Sequence, residues 1–291
     1  MGVKEIGRVI VFGASGNVGK AVLQELKARN IKSTAIIRNQ SLVSALSPFC
    51  DDFLIGDPLS KEFYNNLFRS NDVIISCLGA SISLRNNINT FEEVDVKGNY
   101  LIIENAQNVG VMKIIYLSAF GANVETDLNY LKAHQKVEDR LKVSGINYSI
   151  IRPVGLFCAF NELLPTARKG QLVHFGTGES KTNILSEFDL SRIIIDSINW
   201  ENSEVNCGGK EILSRKKINE IIYESIGFSD KSSIGIPPLF IKMFLPLIKI
   251  INKTLYNKIY FFLKVSTKDC IAPEIGSERF REYLEVSKII H

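Results

Sequence analysis

The chain has 291 residues, 45% of them hydrophobic and 23% charged, and a formal net charge of +4. That length supports a sizeable core, in one large domain or one domain with an appendage, and the small charge excess argues against a nucleic-acid partner. The five cysteines (Cys50, Cys77, Cys158, Cys207 and Cys270) are scattered and never form a C-x-x-C pair, so they read as reduced thiols of a cytoplasmic protein and not as a disulfide framework or zinc site.

The opening "MGVKEIGRVIVFGASG" has no apolar signal core, and Ile6 stands where a myristoylation motif at Gly2 would want Ser or Thr. No apolar run reaches the ~18 residues that a spanning helix needs. "RVIVFG" is a short β-branched run ended by glycine, which suits a buried parallel strand. "NVGKAVLQELKAR" follows with helical spacing at Val18, Val22, Leu23 and Leu26. Further strands are read at "KSTAIIR", "CDDFLIGD", "DVIISCLG", "KIIYLSA" and "YSIIRP", with helices between them, notably "VKGNYLIIENAQNVG". This alternation predicts an α/β fold: a Rossmann-type, doubly wound parallel sheet with right-handed crossovers. After Pro153 the rhythm breaks, with helices expected at "SEFDLSRIIIDSI" and "SRKKINEIIYESIG" and a short strand or loop near "GGKEIL". The expected division is a core over 1–155 and a smaller, mostly helical cap over 156–291, with core elements interleaved near 182–200.

"GASGNVG" (Gly13 to Gly19) joins the first strand to its helix. Gly13 can take the tight turn, Gly16 lets backbone approach a pyrophosphate, and Gly19 allows close helix–strand packing above a helix N-terminus that attracts phosphate. The plainer reading is a turn that needs glycine, but the strand–loop–helix context favours a nucleotide cofactor.

"NYLKAHQKVEDRL" (129–141) places Tyr130 and His134 one turn apart on a helix face continued by Val137 and Leu141. Two readings stand side by side: an acid–base pair, or a buried face holding a satisfied histidine. Lys132 and Lys136 fall about 200° and about 240° around the helix from Tyr130, off its face. His174, in "QLVHFGTGES", reads as structural and His291 as uninformative; three dispersed histidines give no metal site, and Ser118 lies in no G-x-S-x-G elbow.

The motifs "GASGNVG", "IIRN", "IGD", "DVIISCLGA", "VDVKGNYLIIENAQNVGV", "YLSAFGA", "NYLKAHQKVEDRLKVSGINYSIIRP" and "FDLSRIII" run through nearly the whole chain. Together they resemble the atypical and extended short-chain dehydrogenase/reductase superfamily, in particular its NmrA-like members. The resemblance implies cofactor contacts at Gly13, Ser15, Gly16, Asn17, Val18 and Gly19. It puts Arg38 where NAD-type proteins offer an acidic residue to the ribose, so a cation there suits a 2′-phosphate and favours NADP(H) over NAD(H). A surface arginine at a strand end is the alternative for Arg38. Asp57 matches an adenine-contacting position, Cys77, Leu78 and Gly79 line the cofactor, and Pro153 and Val154 lie near the nicotinamide in such proteins. The superfamily's working set is Ser, Tyr and Lys, with Y-x-x-x-K on one helix. Ser118 and Tyr130 match, and His134 stands in place of the lysine. A neutral imidazole would not lower the tyrosine pKa as an ammonium does, so proton donation should suffer less than proton removal.

"IPPLFIKMFLPLIKIINKTLYNKIYFFLK" (236–264) is greasy and basic, and Pro246 is expected to split it into two helices. It reads as a cap over a small hydrophobic substrate, as an interfacial membrane segment over 239–264 at the inner face of a membrane, or as a partner surface, with the cap favoured. The functional expectation is an NADPH-dependent reductase of a hydrophobic carbonyl, quinone or activated double bond. The alternative is a non-catalytic NADP(H)-binding sensor or assembly factor. An epimerase is a third option, although its nucleotide-sugar sites are not recognisable in this chain.

Overall fold

The computed structural model describes residues 6–83, 90–124 and 126–290. The readings that rest on Gly2 and His291 lie outside the described residues. The chain forms two compact units. The first runs to Arg152, except for Ile82 and Ser83, and then takes in Leu190–Val205. The second holds Ile82 and Ser83, Pro153–Asp189 and the described residues from Asn206 onward.

The first unit is built on a seven-stranded sheet, with β1 (Val9–Phe12), β2 (Ser33–Ile37), β3 (Asp52–Ile55), β4 (Val73–Ser76), β5 (Lys113–Leu117) and β6 (Tyr148–Pro153) as the six strands expected from the apolar runs. The strand order is β3-β2-β1-β4-β5-β6-β9, where β9 (Ser203–Cys207) adds an edge that the sequence reading did not assign. Each neighbouring pair among β1 to β6 is parallel. β1, β2 and β4 are buried along their whole length, which is why they read as continuous apolar runs without alternation. The chain winds outward from β1 to β3 and returns to lay β4 beside β1. The order therefore reverses at that pair, the place where open α/β sheets bind ligands at their carboxyl edge.

Helix α1 (Asn17–Ala28) buries Val18, Val22, Leu23 and Leu26, the stripe that its spacing predicts. The next helix differs from expectation. A π-helical stretch, Glu92–Gly98, precedes α2 (Asn99–Val109) and turns Asp95 into the interior. Helix α3 (Asn129–Lys142) packs Val137 and Leu141 into the cluster that holds Ile10, Phe12, Ile74, Ile114 and Tyr116. Helix α4 (Glu187–Asp196) covers the stretch predicted at "SEFDLSRIIIDSI".

The second unit has two small strand pairs: β7 (Val173–Phe175) runs parallel to β11 (Ile234–Ile236), and β8 (Lys181–Thr182) runs antiparallel to β10 (Leu213–Ser214). Its core joins Phe157, Ile184 and Leu172 to Ile218 and Ile222 of α5 (Arg215–Ser225) and to Phe280 and Leu284 of α8 (Phe280–Ile290).

The greasy segment does form two helices, but the break is not at Pro246. Helix α6 (Pro238–Ile251) carries Pro246 in its interior, and α7 (Lys253–Ser266) begins after Asn252. Asn252 is extended (φ −150, ψ 98), and its side chain accepts a hydrogen bond from Leu255 N–H at 2.9 Å, an N-cap that starts a new helix. Lys258, one of the lysines of this basic segment, is buried and donates to Ser83 O at 2.8 Å. Burial holds its pKa below the usual lysine range. Replacing Asn252 with Ala should cost about 1 kcal/mol in urea unfolding, whereas Pro246→Ala should leave stability unchanged or raised. The opposite order would place the break at the proline.

Candidate functional site

The glycine loop lies against the end of β4. Gly13 has φ +70, and a Cβ on it would stand 2.3 Å from Cys77 O. A Cβ on Gly19 would stand 2.2 Å from Gly13 O, so both positions exclude side chains. Gly16 has more room, its nearest neighbour being Gly13 O at 3.3 Å, and it is the N-cap of α1 without a side-chain hydrogen bond. No acidic residue occupies the first turn of α1. Ser15, Gly16 and Asn17 are exposed, while Val18 and Gly19 are buried. The result is a helix N-terminus with open N–H groups and no competing anion, which fits the pyrophosphate of a dinucleotide.

Around this loop the first unit sets most of the other predicted cofactor residues. Arg38 is exposed just beyond β2, with no ion pair or side-chain hydrogen bond among the described residues. Asp57 follows β3, and its carboxylate accepts Leu59 N–H at 3.0 Å in a local turn. Cys77, Leu78 and Gly79 follow β4. Buried Asn99 ties this stretch down: its amide donates to Leu78 O at 3.1 Å and to Asp95 O at 2.7 Å, and it accepts from Ser76 Oγ at 2.5 Å. Burial pushes the Cys77 thiol up to about 12, so it stays protonated. Pro153 and Val154 belong to the second unit, where Pro153 closes β6 and Val154 N–H donates to Cys207 O at 3.0 Å.

Two polar ladders join β5 to α3. Tyr116 lies on β5 and Ser118 immediately follows it, so the two residues are two apart at the strand's carboxyl end. Tyr116 Oη lies 2.7 Å from His134 Nδ1, and Ser118 Oγ donates to Glu138 Oε1 at 2.6 Å. Glu138 is also held by Arg152 through Nε (2.7 Å) and Nη2 (2.6 Å), and Arg152 reaches Glu204 as well. Burial works against the Arg152 charge, but its hydrogen bonds to the two carboxylates outweigh it and keep the guanidinium ionised.

Tyr130 and His134 do meet, edge to face, with ring centroids 4.7 Å apart. Phe91 closes on the other side of Tyr130 at 5.2 Å. His134 is buried, and burial lowers its pKa to about 3, so the ring is neutral. Its Nε2 stands 3.8 Å from Asp95 Oδ1, and neither atom has a hydrogen-bond partner among the described residues. Burial raises the Asp95 carboxyl to about 7, against the pull of Ala80 N–H at 2.9 Å. A phenol donating to Nδ1 leaves the imidazole proton on Nε2, toward Asp95. Burial, then the Asp95 charge, raises the Tyr130 pKa above its usual value. Lys136, on another face, pairs with Glu92 at 2.8 Å, and Lys132 is exposed. His174 is structural in its setting, with Nδ1 2.9 Å from Ser233 Oγ.

Sequence reasoning assigned no role to Asp95, Tyr116, Glu138 or Arg152. Only a weak signal for them was present: Glu138 stands four residues after His134 on a buried stripe, and Arg152 interrupts the apolar run "YSIIRP". Among the described residues no group of three or more His, Cys, Asp or Glu is placed to hold a metal ion.

The family described as NAD(P)H-binding matches residues 13–199. The chain belongs to the NAD(P)H-binding family. Within it, the chain fits the atypical short-chain dehydrogenase/reductases. It is 25% identical over 149 residues to the photosystem II assembly factor Ycf39 of Cyanidium caldarium, which covers 51% of this chain and 47% of that protein. It is 26% identical over 248 residues to the chloroplastic divinyl chlorophyllide a 8-vinyl-reductase of Arabidopsis thaliana, covering 77% and 58%. The chain thus spans about half the length of the curated relatives it matches. Two solved structures share the fold over 97% of this NAD(P)H-binding chain and 100% of theirs, each with a TM-score of 0.74. They are the NADPH-dependent quinone oxidoreductase of Escherichia coli complexed with NADPH, at 16% identity, and the Citrobacter sp. triphenylmethane reductase complexed with NADP(H), at 18%.

The buried Asp95–His134 pair has a pH signature. Asp95 binds its proton more tightly in the folded chain, so its stabilisation is full below about pH 4 and is lost as pH rises toward about 7. His134 does the reverse: its contribution is full above about pH 6.5 and is lost as pH falls toward about 3. Between those limits the slopes oppose. Asp95→Asn should therefore make stability climb more steeply with pH across about 4 to 6.5, and His134→Gln should make it fall, each by up to about 1.4 kcal/mol per pH unit. Urea titrations across that window give the comparison, and superimposable pH slopes for wild type and variants would refute it.

Proposed function

We propose that this chain is an NADPH-dependent reductase of a small hydrophobic acceptor, a carbonyl, quinone or activated double bond, with Tyr130 as the proton donor. The observation that carries this reading is the state of the Tyr130 face. The phenol stands beside a neutral imidazole, and its own pKa is raised, so it remains protonated and able to give a proton at neutral pH. The preference for NADP(H) rests on Arg38, a free, exposed cation at the carboxyl end of β2 that suits a 2′-phosphate. The five free thiols fit a reducing, cytoplasmic setting.

The bound cofactor would supply the hydride. The chain's own residues do the rest. Gly13, Ser15, Gly16, Asn17, Val18 and Gly19 would hold the pyrophosphate, and Asp57 with Cys77, Leu78 and Gly79 would flank the adenosine and ribose side. Ser118 already donates its proton to Glu138, so it can offer a substrate only a lone pair, which leaves Tyr130 Oη to protonate the reduced acceptor. His134 is a positioning residue that fixes the Tyr130 ring edge-on. Removing a proton from an alcohol needs the tyrosinate, so the reverse reaction should appear only at strongly alkaline pH.

A second reading has its own support. A neutral histidine in the place of the superfamily's lysine, and the likeness to Ycf39 assembly factors, fit a non-catalytic NADP(H)-binding protein. NADPH oxidation across a panel of apolar ketones and quinones separates the two, since tight NADPH binding without turnover would favour the second. For the reductase, Tyr130→Phe should lower ketone reduction about a hundredfold with NADPH binding intact. Quinone reduction should suffer less, because a hydroquinone anion needs a proton less urgently than an alkoxide does. Arg38→Ala should weaken NADPH binding about tenfold or more and leave NADH binding unchanged. Equal losses for both nucleotides would remove the NADP preference.

A further inference from the structure

Helix α6 (Pro238–Ile251) is inverted relative to an ordinary surface helix, with its apolar side facing out. Leu245 is its buried residue, with Ile241 and Ile248 half-buried. Leu239, Met243 and Ile250 lie along one line, and Phe240, Leu247 and Ile251 along the next, together an exposed apolar arc of about 120°. Leu239 is 78% exposed, Ile250 84% and Ile251 75%. Such a continuous patch costs solubility and marks a surface that something covers.

The charges say what covers it. From Lys231 to Lys268 the chain carries seven lysines and no acidic residue. Lys242 and Lys249 stand at one edge of the apolar arc, Lys253 follows at the helix junction, and all three are exposed. The Lys249 ammonium rests 5.3 Å over the Tyr256 ring, so its stem lies along an aromatic surface with the charge at the rim. A second copy of the chain would bring the same lysines face to face across a two-fold axis, which works against self-association. A specific protein partner would want hydrogen-bonding groups to fix register, and the exposed arc offers none. A bilayer needs no register. Fourteen residues make a helix of roughly 21 Å, too short to span it, and no helix among the described residues is long and apolar enough to cross.

We propose that α6 lies flat in the headgroup region of an anionic lipid bilayer, its exposed apolar arc in the acyl boundary and Lys242, Lys249 and Lys253 at the lipid phosphates. This surface would act whether or not the protein turns over a substrate, and it would bring the chain to where apolar acceptors dissolve.

The test is co-sedimentation of the full chain with vesicles of phosphatidylcholine alone and of phosphatidylcholine mixed with phosphatidylglycerol. The chain should pellet with the anionic vesicles, much less with the neutral ones, and less in high salt. Leu247→Glu with Ile250→Glu places charges in the arc without touching the core, and should reduce binding about tenfold or more with an unchanged melting temperature. Lys242→Glu with Lys249→Glu should remove the preference for anionic lipid while leaving the fold intact. The proposal is overturned if the wild type ignores phosphatidylglycerol vesicles or if the Leu247/Ile250 variant binds them equally well. It is also overturned if the wild type is a dimer in solution that this variant dissociates, since the arc would then be covered by a second copy.

Discussion

Helix α3 can lie on the sheet only if the polar groups on its buried face find partners there. His134 and Glu138 are both buried, and in an apolar interior either would be costly alone. Tyr116 answers the first, and Ser118 with Arg152 answers the second. Breaking a buried, hydrogen-bonded carboxylate–guanidinium pair by removing one member costs about 3–5 kcal/mol, so the helix has little freedom to slide or rotate. Everything on its face is placed by that constraint. The Tyr130 ring stands where His134 and Phe91 leave it.

The same economy holds at the other side of the candidate site. The loop after β1 can approach the end of β4 only because Gly13 and Gly19 have no side chains, and Asn99 pins the β4 end through two hydrogen bonds, from Ser76 and to Leu78. Asp95 stands between the β4 end and the tyrosine-bearing helix, accepting Ala80 N–H on one side and lying 3.8 Å from His134 on the other. The relatives by sequence include both a reductase and an assembly factor, so the fold alone does not fix the chemistry.

Much of this was legible along the chain, and the exceptions have physical reasons. Strands β1, β2 and β4 announced themselves because they are buried along their whole length and carry unbroken apolar runs. Tyr130 and His134 share a helix face because four residues make about one turn. The partners that set their chemistry were not legible: Asp95 and Tyr116 arrive from a π-helical stretch and a strand, and no local spacing encodes that meeting. The break between α6 and α7 falls at the N-capping Asn252 and not, as the sequence predicts, at Pro246. On an exposed helix a proline can be accommodated, whereas an extended Asn252 with its side chain on Leu255 N–H ends one helix and starts another. Lys258 looked like its neighbours in the run, and only the fold shows it turned inward to Ser83.

Tyr130 stands on a face without a cation, beside a neutral imidazole and a buried carboxyl raised to about 7. That makes a proton donor and a poor proton acceptor. The direct measurement is the imidazole nitrogen shift of His134 in the full chain saturated with NADP+, followed from pH 5 to 8. The account predicts a neutral ring throughout, with the proton on Nε2 and no titration. A ring that takes up a proton near its ordinary pKa, and so places a cation beside Tyr130, would contradict it.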